Sequence, residues 1–127
     1  MKELSSSLKK YLLVIYELSQ KNSEVYRIDI AVALGYSKAS VTSAISRLID
    51  LQYILDDHKK IILTSKGYEE TKKIDTYYQT FYKMLRKHEF SVYEARNYAL
   101  EMVCITDHNF FIKLNDYHHK NHIDTIE

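Results

Sequence analysis

The chain has 127 residues, a formal net charge of +1 and one cysteine, Cys104. With 46% hydrophobic and 28% charged residues, its composition is that of a globular protein and not of a disordered chain. No apolar run approaches the roughly 20 residues of a membrane-spanning helix, the start lacks the apolar core of a secretion signal, and a lone cysteine forms no internal disulfide. We therefore expect a cytoplasmic protein without a membrane partner.

The charge is unevenly distributed between the two halves of the chain. Residues 1–67 carry ten lysines and arginines against seven acidic residues, whereas residues 68–127 carry eight against ten. A basic first half and a mildly acidic second half fit a DNA-binding domain joined to a module with another task. Because the chain has no proline and only two glycines, we predict a mainly helical fold.

Three helices are predicted in the first fifty residues. The first follows a run of serines at 5–7 and ends near Gln20, and the second is short and stops at Gly35, which suits the positive φ of a tight turn. Ser37 is a good N-cap for a third helix that runs to about Leu51. The apolar residues that recur at helical spacing are Leu8, Tyr11, Leu12, Ile15, Tyr16, Ile28, Ile30, Ala31, Leu34, Val41, Ile45 and Leu48.

The third helix combines an apolar stripe with a face of small, hydroxylated or basic residues. Small side chains allow close approach to a major groove, and Ser, Thr, Lys and Arg reach phosphates or base edges. We therefore predict that this third helix is the recognition helix, the helix that contacts DNA. The residues of the predicted contact are Lys38, Ala39, Ser40, Thr42, Ser43 and Arg47.

Two short apolar runs at 53–55 and 61–63 flank a polar turn and predict a β-hairpin. A hairpin directly after a helix–turn–helix is a wing, and Lys59 and Lys60 near its tip suit contacts with backbone phosphates. Three helices followed by a hairpin are the order of a winged helix–turn–helix domain, which we assign to residues 1–67.

The second half, residues 68–127, is predicted to be an all-helical dimerisation domain. A long helix runs to about His88, a capping box of Ser91 and Glu94 opens the next, and a last helix lies around Phe110–Tyr117. These helix faces are too apolar to remain exposed, so we expect a homodimer. Two recognition helices related by a dyad then match a pseudo-palindromic operator in double-stranded DNA.

Several motifs, in this order, resemble the manganese- and iron-dependent repressors of the MntR/DtxR type. The matching segments are LLVIYEL at 12–18, Asp29-Ile30-Ala31 before Leu34-Gly35, Ser40-Val41-Thr42 with Leu48, and Leu63-Thr64-Ser65-Lys66-Gly67. The resemblance implies a metal-controlled repressor that binds Mn²⁺ or Fe²⁺ between its first helix and the helices after the wing.

The metal-ligand positions implied by the resemblance carry residues that are poor ligands for these cations. Leucine and valine have no lone pairs, tyrosine is protonated near neutral pH, and lysine repels a cation. Only the cysteine is chemically competent. We therefore expect a degenerate site, assign no cofactor, and expect DNA binding that is constitutive or governed by another signal. The positions are Lys10, Leu13, Tyr78, Leu100, Val103 and Cys104.

Other readings of the sequence remain open at this point. Glu101, Cys104 and His108 stand at i, i+3 and i+7 and could form a relocated metal site, and Cys104 could respond to oxidants. A histidine tract at His118, His119 and His122 could bind zinc or nickel adventitiously.

The sequence is also compatible with a class of protein other than a DNA-binding regulator. A winged helix that has lost DNA binding could serve as a protein-interaction module. An enzyme is not expected, since the chain has no glycine-rich phosphate loop, no HExxH motif and no nucleophile–base pair. The basic residues retained on the predicted DNA-binding surface favour DNA binding; they are Lys38, Arg47, Lys59 and Lys60.

Overall fold

The computed structural model describes residues 4–121, except for the side chains at 115 and 117–121. Three helices and a two-stranded antiparallel hairpin are followed by further helices, so the predicted mainly helical fold with an N-terminal winged helix–turn–helix is confirmed. The elements are α1 (Ser6–Lys21), α2 (Arg27–Leu34), α3 (Lys38–Asp50), β1 (Ile54–Asp57), β2 (Lys60–Leu63), α4 (Ser65–Lys87), α5 (Val92–Ile105) and α6 (His108–Asn121). None of the helices described is long and apolar enough to cross a membrane.

The described chain divides into two compact units. The winged unit is Ser7–Lys73, and the helical unit consists of residues 74–121 together with residues 4–6. The division therefore falls inside α4 and not at Gly67, where the sequence placed the domain boundary. The first turns of α4 belong to the winged unit, where Thr71 is fully buried and its hydroxyl donates a hydrogen bond to the carbonyl oxygen of Gly67 at 2.7 Å.

The core of the winged unit is aliphatic. The buried stripes of α1, α2 and α3 follow the helical spacing seen in the sequence at most positions. Tyr16 and Leu34 are only half-buried, and Ile28 is exposed because α2 turns Ile30 and Ala31 inward instead. The fully buried aliphatic residues of the three helices and the hairpin are Leu8, Leu12, Ile15, Ile30, Val41, Ile45, Leu48 and Ile54.

The turn between α2 and α3 has the geometry expected from its sequence. Gly35 adopts a left-handed conformation with φ of 70°, and its N–H closes α2 by donating to the carbonyl oxygen of Ala31. Two residues later Ser37 caps α3, because its side chain accepts a hydrogen bond from the N–H of Ser40 at 3.1 Å. Both effects stop one helix and start the next within three residues, which fixes the angle at which α3 leaves α2.

The hairpin closes through a two-residue turn. Its strands pair in a register that sets Ile54 opposite Leu63 and leaves only His58 and Lys59 in the turn. Both turn residues have positive φ, 51° and 73°, as a type I′ turn requires. The predicted turn was wider, and Lys60 in fact lies in β2.

The base of the hairpin and the start of α4 meet at a close backbone contact. The Thr64 N–H donates to the carbonyl oxygen of Tyr53 at 3.0 Å, while the Thr64 hydroxyl donates to the carbonyl oxygen of Gln52 and accepts from the N–H of Gly67. A Cβ on Gly67 would overlap the Tyr53 carbonyl oxygen. Gly67 therefore allows this contact inside the first turn of α4 and does not mark the end of an element.

The helical unit is built on α5 and on the part of α4 after Lys73. Ser91 and Glu94 form the predicted capping box, in which each side chain accepts a hydrogen bond from the other residue's N–H. The helix α6 begins two residues earlier than expected, at His108, because the side chain of Asp107 accepts a hydrogen bond from the N–H of Phe110. The side chains of the histidine tract, His118, His119 and His122, lie outside the described residues.

The two glycines give a matched test of this packing. Gly67→Ala places a methyl group against backbone that has little room to move, so we expect a loss of more than about 3 kcal/mol in the free energy of unfolding. Gly35→Ala meets no atom within 4 Å and strains only the left-handed φ, so a smaller loss of about 1–2 kcal/mol is expected. Urea denaturation of both variants measures the difference, and a Gly67→Ala protein as stable as Gly35→Ala would contradict the contact.

Candidate nucleic-acid interface

One side of α3 is buried and the other faces outward along its whole length. Val41, Ala44, Ile45 and Leu48 pack into the winged unit, and this burial forces the intervening side chains to the surface. The predicted contact residues of α3 are all exposed. A shallow open hollow on this face is lined by Lys38, Ala39, Thr42, Ser43, Ser46 and Arg47.

The structure brings five of the six α3 residues predicted to contact DNA into this one hollow and adds Ser46. Ser40 lies beside it, in a second shallow hollow that also contains Ala39, Ser43 and Arg47. The Ser40 hydroxyl accepts a hydrogen bond from the Ser37 hydroxyl at 3.0 Å, so the serine pair also rigidifies the start of the helix. The surface is small, hydroxylated and basic, which suits close approach to base edges and phosphates.

A groove runs between α2, the start of α3 and the tip of the wing. Lys59 lines it together with Lys38 and Thr42, so the structure brings this wing lysine next to the recognition helix. Most of its lining surface is apolar. The complete lining is Tyr26, Arg27, Ile28, Ala31, Lys38, Val41, Thr42 and Lys59.

Lys60 is placed differently from Lys59. In β2 it pairs with Asp57 across the hairpin, and its Nζ lies 3.8 Å from a carboxylate oxygen of Glu24. It lines neither of the α3 hollows nor the groove. The two wing lysines, which the sequence analysis treated as equivalent, therefore differ. Lys59 lines the groove, whereas Lys60 forms an ion pair with Glu24.

Arg27 is a groove residue that the sequence analysis did not identify. Its guanidinium Nη1 donates to Asp56 Oδ2 at 2.8 Å, and Asp56 Oδ1 accepts the backbone N–H of Lys59 at 2.7 Å. The bond from Arg27, with that from Lys59, holds the pKa of the Asp56 carboxyl below its usual value. No local pattern signals this contact, because Arg27 and Asp56 are 29 positions apart in the chain.

The metal-ligand positions implied by the resemblance do not fit a manganese or iron ion. Leu13 and Val103 are buried apolar side chains, and Leu100 is also unable to donate a lone pair. Among the residues that the structure describes, no three His, Cys, Asp or Glu side chains are grouped so that they could hold a metal ion. The other positions are Lys10, Tyr78 and Cys104, of which only the last is a competent ligand.

The relocated metal site at Glu101, Cys104 and His108 is not formed. It required one continuous helix, but α5 ends at Ile105, and Thr106 adopts an extended conformation. Glu101 is exposed whereas Cys104 is buried. The ring of His108 instead lies beside Tyr77, with Nδ1 2.7 Å from the hydroxyl oxygen.

The arrangement of α1–α3 and the hairpin defines a winged helix–turn–helix DNA-binding protein. Residues 3–62 match the family described as iron dependent repressor, N-terminal DNA binding domain. The N-terminal part of the chain is therefore a DNA-binding domain of this family. Members of the family are transcriptional repressors and not enzymes. No curated protein matches the chain.

Solved structures share the fold at low sequence identity. The hypothetical protein SSo2273 from Sulfolobus solfataricus is 19% identical, with a TM-score of 0.64 over 98% of this chain and 99% of that one. The manganese regulator SloR is 20% identical, with a TM-score of 0.72 over 91% of this chain. The IdeR protein of T. acidophilum is 19% identical, with a TM-score of 0.71 over 98% of this chain. The chain spans only 54% of SloR and 57% of that IdeR.

Arg47 offers the sharpest test of the α3 surface. Replacing it by alanine is expected to weaken binding to a selected DNA duplex by about 1–3 kcal/mol for a base contact, or to lower the salt dependence by about one unit for a phosphate contact. Lys21→Ala is the control, because it removes a cation from the last turn of α1 that lines none of the hollows. Fluorescence anisotropy at several salt concentrations measures both. Unchanged binding in an Arg47→Ala, Lys38→Ala double variant would rule out this surface.

Proposed function

We propose that the protein is a sequence-specific transcriptional repressor that binds a pseudo-palindromic operator in double-stranded DNA as a cytoplasmic homodimer, without requiring Mn²⁺ or Fe²⁺. The observation that carries the DNA-binding part is the exposed face of α3, with Lys38 and Arg47 among small and hydroxylated residues. The nearby Lys59 of the wing extends the basic surface in the direction of the DNA backbone. The contact residues proposed are Lys38, Ala39, Ser40, Thr42, Ser43, Arg47 and Lys59, with Lys60 in a weaker, non-specific role.

Metal independence is supported by the chemistry of the substituted positions. SloR is described as a manganese regulator, whereas the implied ligand positions of this chain carry Leu13, Leu100 and Val103. No change of protonation turns an alkyl side chain into a ligand, so the loss does not depend on conditions. Leu13 and Val103 are also buried, which is the state in which alkyl groups stabilise a fold. The signal that controls the repressor is then something other than these metals, or DNA binding is constitutive.

The proposed activity is tested by selecting duplexes from a random DNA pool and measuring their affinity with and without chelator. We expect enrichment of a two-fold related sequence, and an affinity that changes by less than about twofold when EDTA is added or when Mn²⁺, Fe²⁺, Co²⁺ or Zn²⁺ is restored, because the ligands are missing. Binding that appears only with one of the metals would contradict metal independence. A pool that shows no enrichment would favour the interaction module that has lost DNA binding.

Homodimer formation is supported by the apolar surface of the helical unit. Ala95, Ala99 and Val103 are buried on one side of α5, while Tyr98 and Ile105 are exposed seven residues apart on another side. Ile105 is 79% exposed, which is unusual for a side chain of this type. The exposed apolar residues of the unit are Val92, Tyr93, Tyr98, Ile105, Phe110 and Ile112. A second copy is the proposed occupant, because a dyad is what a pseudo-palindromic operator requires.

A charged residue at the most exposed of these apolar positions is expected to break the dimer. Ile105→Glu places a carboxylate where apolar side chains would be buried, so sedimentation equilibrium should show a shift from dimer to monomer. The control is Val32→Glu, which introduces the same charge at a residue of α2 that is 74% exposed and should leave the dimer intact. A wild-type protein that sediments as a monomer at micromolar concentration would contradict the dimer. An Ile105→Glu protein that remains dimeric would place the interface elsewhere.

A further inference from the structure

The tip of the wing has a backbone conformation that its own residues do not favour. A type I′ turn needs two residues of positive φ and is normally made by Asn and Gly, but here it is made by His58 and Lys59. A side chain with a Cβ is strained in this region. The turn therefore depends on contacts from outside the two residues, and the direction in which the Lys59 side chain leaves the backbone depends on the same contacts.

The carboxylate of Asp56 supplies one such contact and also links the turn to α2. Asp56 Oδ1 accepts the N–H of Lys59 at 2.7 Å and closes the turn, while Asp56 Oδ2 accepts from the guanidinium of Arg27 at 2.8 Å. Arg27 is the first residue of α2, so the two oxygens of a single side chain join the wing tip to the helix–turn–helix. A second bond supports the connection further along the hairpin, where the Ile61 N–H donates to the carbonyl oxygen of Val25 at 2.8 Å.

Both partners of Asp56 line the groove between the wing and α3. Lys59 and Arg27 line it together with Lys38 and the apolar residues Ile28 and Val41. Three cations on a groove with apolar lining residues are complementary to a sugar–phosphate strand, whose phosphates are anionic and whose sugars are largely apolar. An arginine has five N–H donors, so a bond from Nη1 to Asp56 does not exhaust its capacity.

We propose that Asp56 is a positioning residue for DNA binding: it fixes Lys59 and Arg27 at the groove so that both contact the same stretch of phosphate backbone. This inference rests on the proposed DNA-binding function. Asp56 itself repels phosphate, and an exposed ion pair adds little to stability. Asp56 therefore contributes to DNA binding by holding the side chains of Lys59 and Arg27 in position.

The neighbouring Asp57 makes a charge-matched comparison possible. Asp57 has the same charge at the same end of the hairpin, but its carboxylate contacts the ring of His58, at 2.8 Å, instead of joining the wing to α2. Asp56→Asn and Asp57→Asn each remove one negative charge. An asparagine has only one side-chain oxygen, so at position 56 it cannot accept from Lys59 and Arg27 in the same way as the carboxylate.

The experiment measures the affinity of wild type, Asp56→Asn and Asp57→Asn for one selected duplex over a range of salt concentrations. If charge alone mattered, both variants would bind more tightly to the same extent. The proposal predicts instead that Asp56→Asn binds about five- to tenfold more weakly than Asp57→Asn, with a salt dependence lower by about one unit, because a phosphate contact is lost. Thermal unfolding of both variants shows whether each remains folded at the temperature of the measurement.

A double-variant comparison separates positioning from a general effect on the fold. In a Lys59→Gln background the difference between Asp56→Asn and Asp57→Asn should shrink, because the residue that Asp56 positions is already missing. Equal affinities of the two single variants, or an undiminished difference in the Lys59→Gln background, would overturn the proposal. A wild-type protein that binds no DNA would instead contradict the proposed DNA-binding function. The experiment therefore distinguishes a failure of that function from a failure of the positioning role of Asp56.

Discussion

The backbone of Tyr53 is the point on which the winged unit depends. Its N–H donates to the carbonyl oxygen of Leu48 at the end of α3, and its carbonyl oxygen accepts from Thr64 where the hairpin returns. Gly67 packs against that same carbonyl, so α4 begins next to the base of the hairpin. The Lys66 ammonium group covers the Tyr53 ring at 4.7 Å and donates to the carbonyl oxygen of Leu51. The recognition helix, the wing and the long helix thus share one junction.

This junction explains how a chain of modest net charge presents a DNA-binding surface. With α3 held by its buried stripe, its polar face points outward, and the wing brings Lys59 beside it. The local arrangement of cations matters more for contact with phosphates than the net charge of +1. At the implied metal positions, in contrast, Leu13, Leu100 and Val103 leave no ligand chemistry. In the proposed account, the DNA-binding surface of α3 is retained and DNA binding does not require a metal ion.

Features encoded by local sequence could be predicted, and features made by distant contacts could not. The spacing of Val41, Ile45 and Leu48 identified the exposed face of α3, and Gly35 identified the left-handed turn before it. The role of Gly67 was missed because the atom that it approaches lies fourteen residues earlier in the chain. The bond between Arg27 and Asp56 was missed for the same reason, since it requires a closed hairpin.

The break between α5 and α6 lies close to where it was predicted, although no proline or glycine marks it. The hydroxyl of Thr106 donates to the carbonyl oxygen of Met102, and the carboxylate of Asp107 caps the next helix. Such side-chain bonds end and start helices without the usual breakers. The alternative metal site at Glu101, Cys104 and His108 required a helix that continues to His108, and these bonds interrupt it.

The most direct measurement of the central claim is an NMR titration of the isotope-labelled protein with a selected DNA duplex in the presence of EDTA. The account predicts that the largest amide shift changes fall on the exposed face of α3 and on the wing tip, at 37–47 and 56–60. Changes concentrated in α5 and α6, or no changes until a metal is added, would contradict it.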